Sequence, residues 1–434
     1  IPTHKMSEKL DVIIFGASGF TGKYTVFEAC SVLQNLKWGI AGRSRSKLEN
    51  VLKDMGLKAN KNLSNIPIII ADVDNESSLR EMAKQCKVLV NCCGPYRFFG
   101  EQVVKACLDA GTHHVDVSGE PQYMEMMQMK YNTLAKEKNV YVVSACGFDS
   151  IPADMGMVFI EKNFDGVVNS VESYLESYNK GGSAGGAGIH YGTWESAVYG
   201  LAHANELRGI RSKLYSEKLP KLYPILKNRP VMFKSDVVNG VCLPFPGSDR
   251  SVVMRSQRFM YDTEKKRPVQ MHAYISFKSW LAAVIVAMVG VTFGLMTKFA
   301  LGRRLLLKYP KVFSLGMVSH EGPNEARMES SRFKMTMKAL GWAQSERLAE
   351  SSDQYTNPPN KSLMVRISGS NPGYGATCVA LLCSALTILK ESDKMPGTGG
   401  VLPPGAAFAK TSLIAELEKH EHGIKFEILK SKFL

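Results

Sequence analysis

The chain has 434 residues, 45% of them hydrophobic and 22% charged, which fits a globular protein of two or three domains. Its formal net charge of +14 favours acidic partners, such as an anionic membrane or a phosphorylated cofactor. No RNP-like or zinc-finger signature accompanies that charge, so nucleic acid is not an expected partner.

Nine cysteines, an odd number, fall mostly within apolar runs (Cys92, Cys93, Cys107, Cys146, Cys383), and there is no C-x-x-C pair. That usage points to a reducing compartment, with thiols acting as small buried hydrophobes. His113, His114, His420 and His422 lack metal-ligand partners at useful spacing, so no metal site is expected. No secretory signal precedes Met6, which reads as the initiator, and residues 1–5 are left out of the fold argument.

In chain order, Val12-Ile13-Ile14-Phe15 is an apolar strand that runs into Gly16-Ala17-Ser18-Gly19-Phe20-Thr21-Gly22. A strand, a glycine turn and a helix start together form an anion cradle, in which backbone N–H groups and the helix dipole face a pyrophosphate. The spacing is G-x-x-G-x-x-G, a variant of the usual dinucleotide pattern. The second strand, Trp38 to Ala41, ends at Gly42-Arg43-Ser44-Arg45-Ser46-Lys47, with no acidic residue before Glu49. A site for NAD places a carboxylate there, on the ribose 2′-OH; Arg43, Ser44 and Arg45 instead suit a 2′-phosphate, so the expected cofactor is NADPH/NADP.

Further strands are expected at Ile66–Asp72, Val88–Cys93, His114–Val117 and Val140–Ser144, alternating with helices at Asn75–Lys84, Glu101–Ala110 and Pro121–Lys138. Uniformly apolar strands alternating with helices predict an α/β fold with a parallel, Rossmann-type sheet covered on both faces. Asp72, Cys93, Gly94 and Pro95 then fall at strand ends on the cofactor side, as do Ser118-Gly119-Glu120 and Gly147-Phe148-Asp149-Ser150.

From about Asp154 the pattern changes. Ser170 to Tyr178 alternates, and Gly181 to Gly188 reads as a flexible loop, either a linker or a flap over substrate, before a helix near Tyr191. The expected division is 7–153 for the dinucleotide-binding domain, 154–370 for a second domain, and 371–434 for a C-terminal segment that packs back on the first. That last segment holds an apolar helix at Ala376–Leu389, a helix at Ser412–Lys419 and a strand at Ile424–Ile428.

Residues 279–297 carry no charge, and nine basic but no acidic residues lie between Glu264 and Glu321. Nineteen uncharged residues, most of them apolar, suffice to cross a bilayer core, and basic flanks suit anionic headgroups. A full crossing would strand the C-terminal tail on the far side, so monotopic attachment to a lipid or membrane surface is favoured over a span; the competing assignment is a buried core helix.

The set Gly16–Gly22, Ala41–Leu48, Asn91–Tyr96, Val115–Glu120, Gly147–Asp154 and Gly400–Phe408 resembles the saccharopine dehydrogenase-like oxidoreductases of animals. It is also similar to the trans-acting enoyl reductases of bacterial lipid synthesis. The resemblance covers nearly the whole chain. It implies a dinucleotide-binding domain completed by the C-terminus, a second α+β domain, and location on lipid droplets or the cytoplasmic face of an intracellular membrane. It does not imply saccharopine as substrate, because no residue set here reads a pair of amino-acid carboxylates.

Hydride transfer belongs to the nicotinamide, so the protein must supply orientation and a proton donor. Tyr96 is the first candidate donor, followed by Asp149 and His190, with Tyr191 and Tyr374 also at strand ends. The Tyr-x-x-x-Lys pairs at Tyr223/Lys227 and Tyr261/Lys265 lie too far along the chain for a short-chain dehydrogenase. Three functions are compatible with these residues: a reductase of an apolar or lipid-linked small molecule, a non-catalytic NADP(H)-binding scaffold or redox sensor, and a soluble saccharopine-type amino-acid dehydrogenase. A homodimer is compatible with each.

Overall fold

The computed structural model describes residues 8–181, 185–350 and 352–434. Six strands open the first sheet: β1 (Leu10–Phe15), β2 (Trp38–Gly42), β3 (Ile68–Ile70), β4 (Cys86–Asn91), β5 (His113–Asp116) and β6 (Tyr141–Val143). All pair in parallel, in the order β6-β5-β4-β1-β2-β3. Val12, Ile13 and Ile14 are fully buried, as strands covered on both faces require. The covering helices are α1 (Phe20–Val32), α2 (Arg45–Ala59), α3 (Glu76–Lys84), α4 (Tyr96–Ala110) and α5 (Pro121–Glu137). Strand order reverses between β1 and β4, and the crevice beyond their carboxyl ends is where such a sheet holds its ligand.

α6 (Ser150–Asn163) leads from that crevice to β7 (Gly166–Asn179), β8 (Ile189–His190), α7 (Tyr191–Ala202), α8 (Glu206–Leu214), β9 (Phe233–Lys234) and β10 (Val241–Pro244). There follow α9 (Asp249–Glu264), β11 (Gln270–Phe277), α10 (Trp280–Thr297), α11 (Ala300–Lys308), α12 (Pro310–Phe313), β12 (Val318–Ser319), α13 (Glu325–Ser330), β13 (Ser331–Ala343) and β14 (Lys361–Ser370). The chain closes with α14 (Thr377–Glu391), β15 (Gly400–Leu402), α15 (Pro404–Phe408), a short helix at Leu413–Leu417, and β16 (Ile424–Phe433). The second sheet is mixed, in the order β16-β14-β13-β7-β11-β10-β9. One buried apolar cluster runs from Val12 and Ile14 through Ile151 and Met155 of α6 to Met335 and Val365, so both sheets share a core. The glycine-rich loop after β7 is described only in part, since residues 182–184 lie outside the described residues.

The segment after residue 370 divides between the two sheets. β15 joins β6 as the seventh strand of the first sheet, and α14 packs on α1, β4 and β5. β16 instead pairs antiparallel with β14 at the edge of the second sheet and runs to Phe433, well past Ile428. α4 starts at Tyr96, five residues before the expected Glu101, because its cap comes from afar. The Glu120 carboxylate accepts the Tyr96 and Arg97 N–H groups at 3.0 and 2.8 Å, satisfying donors that a helix start leaves open.

The apolar segment is a surface helix. Only 11% of α10 is buried, against 83% for the similarly apolar stretch Pro372–Lys394, which is a core helix. Ser279 caps α10 by accepting from Ala282 N at 3.2 Å.

Candidate functional site

The loop between β1 and α1 has the geometry of a phosphate cradle. Gly16 has φ +78°, and a Cβ there would come within 2.7 Å of Cys93 Sγ. At Gly22 a Cβ would lie 2.1 Å from the Gly16 carbonyl oxygen, so only glycine lets helix and strand cross here. Gly19 is the N-cap of α1; no side chain caps the helix and its first turn has no acid. Gly19 N donates to the Gly16 carbonyl at 2.9 Å and closes the turn, while the start of α1 beyond it, at Phe20 and Thr21, has no side-chain cap, as an approaching pyrophosphate requires.

The expected ribose-phosphate residues lie beside that loop. Ser44 caps α2 by accepting from Lys47 N, Arg45 is 3.9 Å from Glu49, and Arg43 has no ion-pair partner among the described residues. Asp72 holds its own turn, Oδ1 accepting from Asp74 N at 3.1 Å. Burial pushes the Cys93 thiol up to about 12, with Arg43 opposing and Asp72 adding to the rise, so both charges sit close to the loop after β4. Asn91 Oδ1 accepts from Cys93 N at 3.0 Å and fixes that loop ahead of Gly94 and Pro95. Gly16, Ser18, Gly19, Phe20, Thr21, Gly22, Arg43, Ser44, Arg45, Asp72, Cys93, Gly94 and Pro95 are therefore compatible with one dinucleotide.

Tyr96 departs from expectation. Its hydroxyl donates to the Asn91 carbonyl at 2.8 Å, its ring stacks on Tyr123 at 5.6 Å, and the residue is 6% exposed. Burial and the nearby Asp116 push its phenol well above the usual range. Asp116 itself is buried, accepting from Tyr123 and Ser144 hydroxyls and from Ser118 N. The Tyr96 hydroxyl is thus engaged inside a buried network, which disfavours the proton-donor role expected of it.

His190 lies against the nucleotide loop, and Asp149 begins the helix that follows β6. His190 caps α7, its Nδ1 accepting from Gly192 N at 3.0 Å, and its ring stacks on Phe20. Its backbone N–H donates to the Tyr374 hydroxyl at 3.0 Å, and the Tyr374 ring meets Phe20 edge-on at 4.6 Å. Burial lowers the His190 pKa, which keeps the ring neutral. Tyr191 stacks on His320 at 4.1 Å. Asp149 is the N-cap of α6, in the loop that follows β6, with φ +81°, and burial raises its pKa above the ordinary carboxylate range. Beside it, Thr377 Oγ1 at the start of α14 accepts from Phe148 N at 3.0 Å.

Two partners escaped the sequence reading. Glu120 stood in a quoted motif, but its capping of α4 joins residues 24 apart. Asp249 opens α9 and approaches Asp149 from the second domain, a contact that no local pattern encodes.

Comparison with known proteins agrees with this geometry. The saccharopine dehydrogenase NADP-binding domain matches residues 12–143. A human saccharopine dehydrogenase-like oxidoreductase is 39% identical over 97% of each chain. The chain belongs to the saccharopine dehydrogenase-like oxidoreductases. A lipid droplet localized protein of Caenorhabditis elegans is 37% identical over 93% of this chain and 95% of its own. A Mycobacterium tuberculosis protein named as a trans-acting enoyl reductase is 27% identical over 93% of this chain and 94% of its own. Saccharopine dehydrogenase (L-Glu forming) of Saccharomyces cerevisiae shares the fold at TM-score 0.53 and 14% identity, covering 98% of this chain and 100% of that one. As a member of this family the protein is an NADP-binding oxidoreductase, with NADPH/NADP as its cofactor.

Proposed function

We propose that this oxidoreductase reduces a C=C, C=O or C=N bond of an apolar or lipid-linked substrate, working on a lipid droplet or the cytoplasmic face of an intracellular membrane. The observation that carries the proposal is the position of α7. Its N-cap, His190, stacks on Phe20 at the nucleotide loop, and Ser196, nearly two turns further, donates to Glu120 at 2.9 Å. On the other side Trp194 packs on Phe293 of α10 at 4.5 Å, and its Nε1 donates to the Leu306 carbonyl of α11 at 3.0 Å. One helix, roughly 10–12 Å across, therefore separates the cofactor site from the exposed apolar surface.

That surface suits lipid. Leu281, Val291, Leu301, Val312 and Leu315 are each more than three-fifths exposed, with Lys298, Arg304, Lys308 and Lys311 around them. α10 leaves the body from β11 and returns through α11 and α12 to β12, which pairs with β8 beside the site. Both its ends are held on one side, which favours a helix lying in the surface over one that crosses it.

NADPH, when bound, supplies the hydride. Asp149 gives the proton: its O–H bond breaks, the proton joins the atom that has received the electron pair, and solvent restores the carboxyl. A saccharopine-type amino-acid dehydrogenase is disfavoured because Arg97 and Arg211, at the rim, are each held bidentate by Glu206 and Glu125.

The test is NADPH consumption by the full chain with phospholipid vesicles carrying an enoyl, aldehyde or imine lipid. Asp149→Asn should lower turnover by about 10²-fold or more and leave NADPH affinity unchanged. Consumption with none of these lipids would leave the non-catalytic NADP(H)-binding scaffold as the function.

A further inference from the structure

The amino ends of two long helices meet at the crevice, and each carries an aspartate. Asp149 is the N-cap of α6 and Asp249 the first residue of α9. Ser150 Oγ and Ser248 Oγ, 3.0 Å apart, tie the two ends together. The Asp149 carboxylate lies against Gly247, where an added Cβ would stand 3.2 Å from Oδ2. Asp249 is 1% exposed, and its Oδ1 has no hydrogen-bond partner among the described residues. An oxygen so placed is costly as part of an anion and acceptable as a protonated donor.

We infer that Asp249 is a positioning residue for Asp149, donating a carboxyl O–H hydrogen bond to the Asp149 carboxylate once Asp149 has released its proton. The inference rests on the donor role proposed for Asp149. The pair starts with two protons and ends with one, shared between the carboxyls. The single negative charge then lies at two converging helix amino ends, which favour an anion. Burial, and then the charges of Asp149 and Asp154, hold the Asp249 carboxyl well above the ordinary range. The other charged groups on the packed elements do not neutralise the pair. Asp154 on α6 accepts from the Ser256 hydroxyl and Gly405 N at Oδ2 alone; Arg250 on α9 donates to the Met271 carbonyl, and Arg255 donates to Gln128 while its Nη1 has no hydrogen-bond partner among the described residues. On the β5 side, Glu120 is held by the start of α4 and Asp116 by its buried network.

The test is a carboxyl titration by NMR of the ¹³C-aspartate-labelled full chain with NADP⁺, read alongside the pH profile of turnover. Asp249→Ala removes the donor, so the proton affinity of Asp149 should rise tenfold or more, while Asp249→Asn, a neutral donor of the same shape, should keep it near the wild-type value. In Asp149→Asn the proton affinity of Asp249 should fall tenfold or more, which gives a second measurement should Asp249→Ala fold poorly. An Asp149 midpoint that is the same in all three Asp249 forms, or Asp249 titrating as an ordinary carboxylate, overturns the inference. The titration needs no turnover, so absence of activity would count against the reductase and leave this result standing.

Discussion

The imidazole of His190 lies nearly parallel to the Phe20 ring, 19° between planes and 4.7 Å between centroids. Phe20 is the first residue of α1, directly behind the phosphate cradle, while His190 belongs to the second domain. Tyr374 closes the contact from the C-terminal segment, and a Cβ at Gly322 would strike Phe20 at 2.7 Å. Three distant parts of the chain thus hold one turn of backbone in place for the cofactor. His190→Ala removes the stack and the cap of α7 together. With a ring pair contributing about 0.5–1.5 kcal/mol, NADPH affinity should fall roughly three- to tenfold in a fluorescence titration. Unchanged affinity would assign the stack to packing alone.

Arg43 is exposed beside the cradle and free of ion pairs among the described residues. Arg43→Glu removes a phosphate donor and adds repulsion, so calorimetry should show NADPH binding weaker by about 2 kcal/mol or more, with NADH hardly affected. Tighter binding of NADH than NADPH by the unmodified protein would contradict the role given to Arg43.

Tyr96→Phe separates the two roles considered for Tyr96. The hydroxyl donates to the Asn91 carbonyl inside the fold. Its loss should cost about 0.5–1.5 kcal/mol of stability in chemical denaturation and leave turnover within a few-fold of wild type. A hundredfold fall in turnover at unchanged stability would restore the proton donor.

What the sequence revealed and what it withheld follow from how locally each feature is encoded. The cradle and the end of β2 are short, contiguous patterns, and Gly16, Gly22 and Arg43 stand where those patterns placed them. The early start of α4 depends on Glu120, one strand further on, so a local reading placed the helix too late. For Tyr96 the position after a strand was legible, but the direction of its hydroxyl depends on Asn91 and on the packing of Tyr123. Asp249 comes near Asp149 only because α9 packs on α6, which no local pattern encodes. The exposure of α10 was legible as a choice between surface and core, and packing decided it.

His422 hydrogen-bonds Glu28 at 2.6 Å, tying the turn before β16 to α1. That bond raises the His422 pKa above its ordinary value, against an opposing effect of burial. A histidine with a raised folded pKa adds stability that is fully present below its unfolded value near 6.5 and is lost as pH rises through the folded value. Thermal stability should therefore fall through this pair as pH rises above the ordinary histidine value near 6.5. His422→Gln should flatten that part of the profile, and an identical pH dependence in both proteins would show that the pair contributes nothing measurable.

Lipid attachment is tested at Ile285 and Val291, which are 37% and 63% exposed on α10. Phe293 is a poor target, since it packs on Trp194 and its loss would disturb α7. Each large apolar side chain that enters lipid contributes up to about 1.5–3 kcal/mol, and each basic residue near an anionic surface about 1 kcal/mol. Carboxylates at both positions would have to be carried into the acyl region, so Ile285→Asp with Val291→Asp should abolish flotation with anionic phospholipid vesicles. Melting temperature and NADPH affinity should be retained, because neither side chain supports the core. A core helix would respond in the opposite way: buried, unpaired carboxylates would unfold the domain and take cofactor binding with it. Vesicle binding that survives the double substitution in a folded protein would move the lipid-facing surface elsewhere, to α11 and α12, where Arg304→Glu with Lys308→Glu is the matching test.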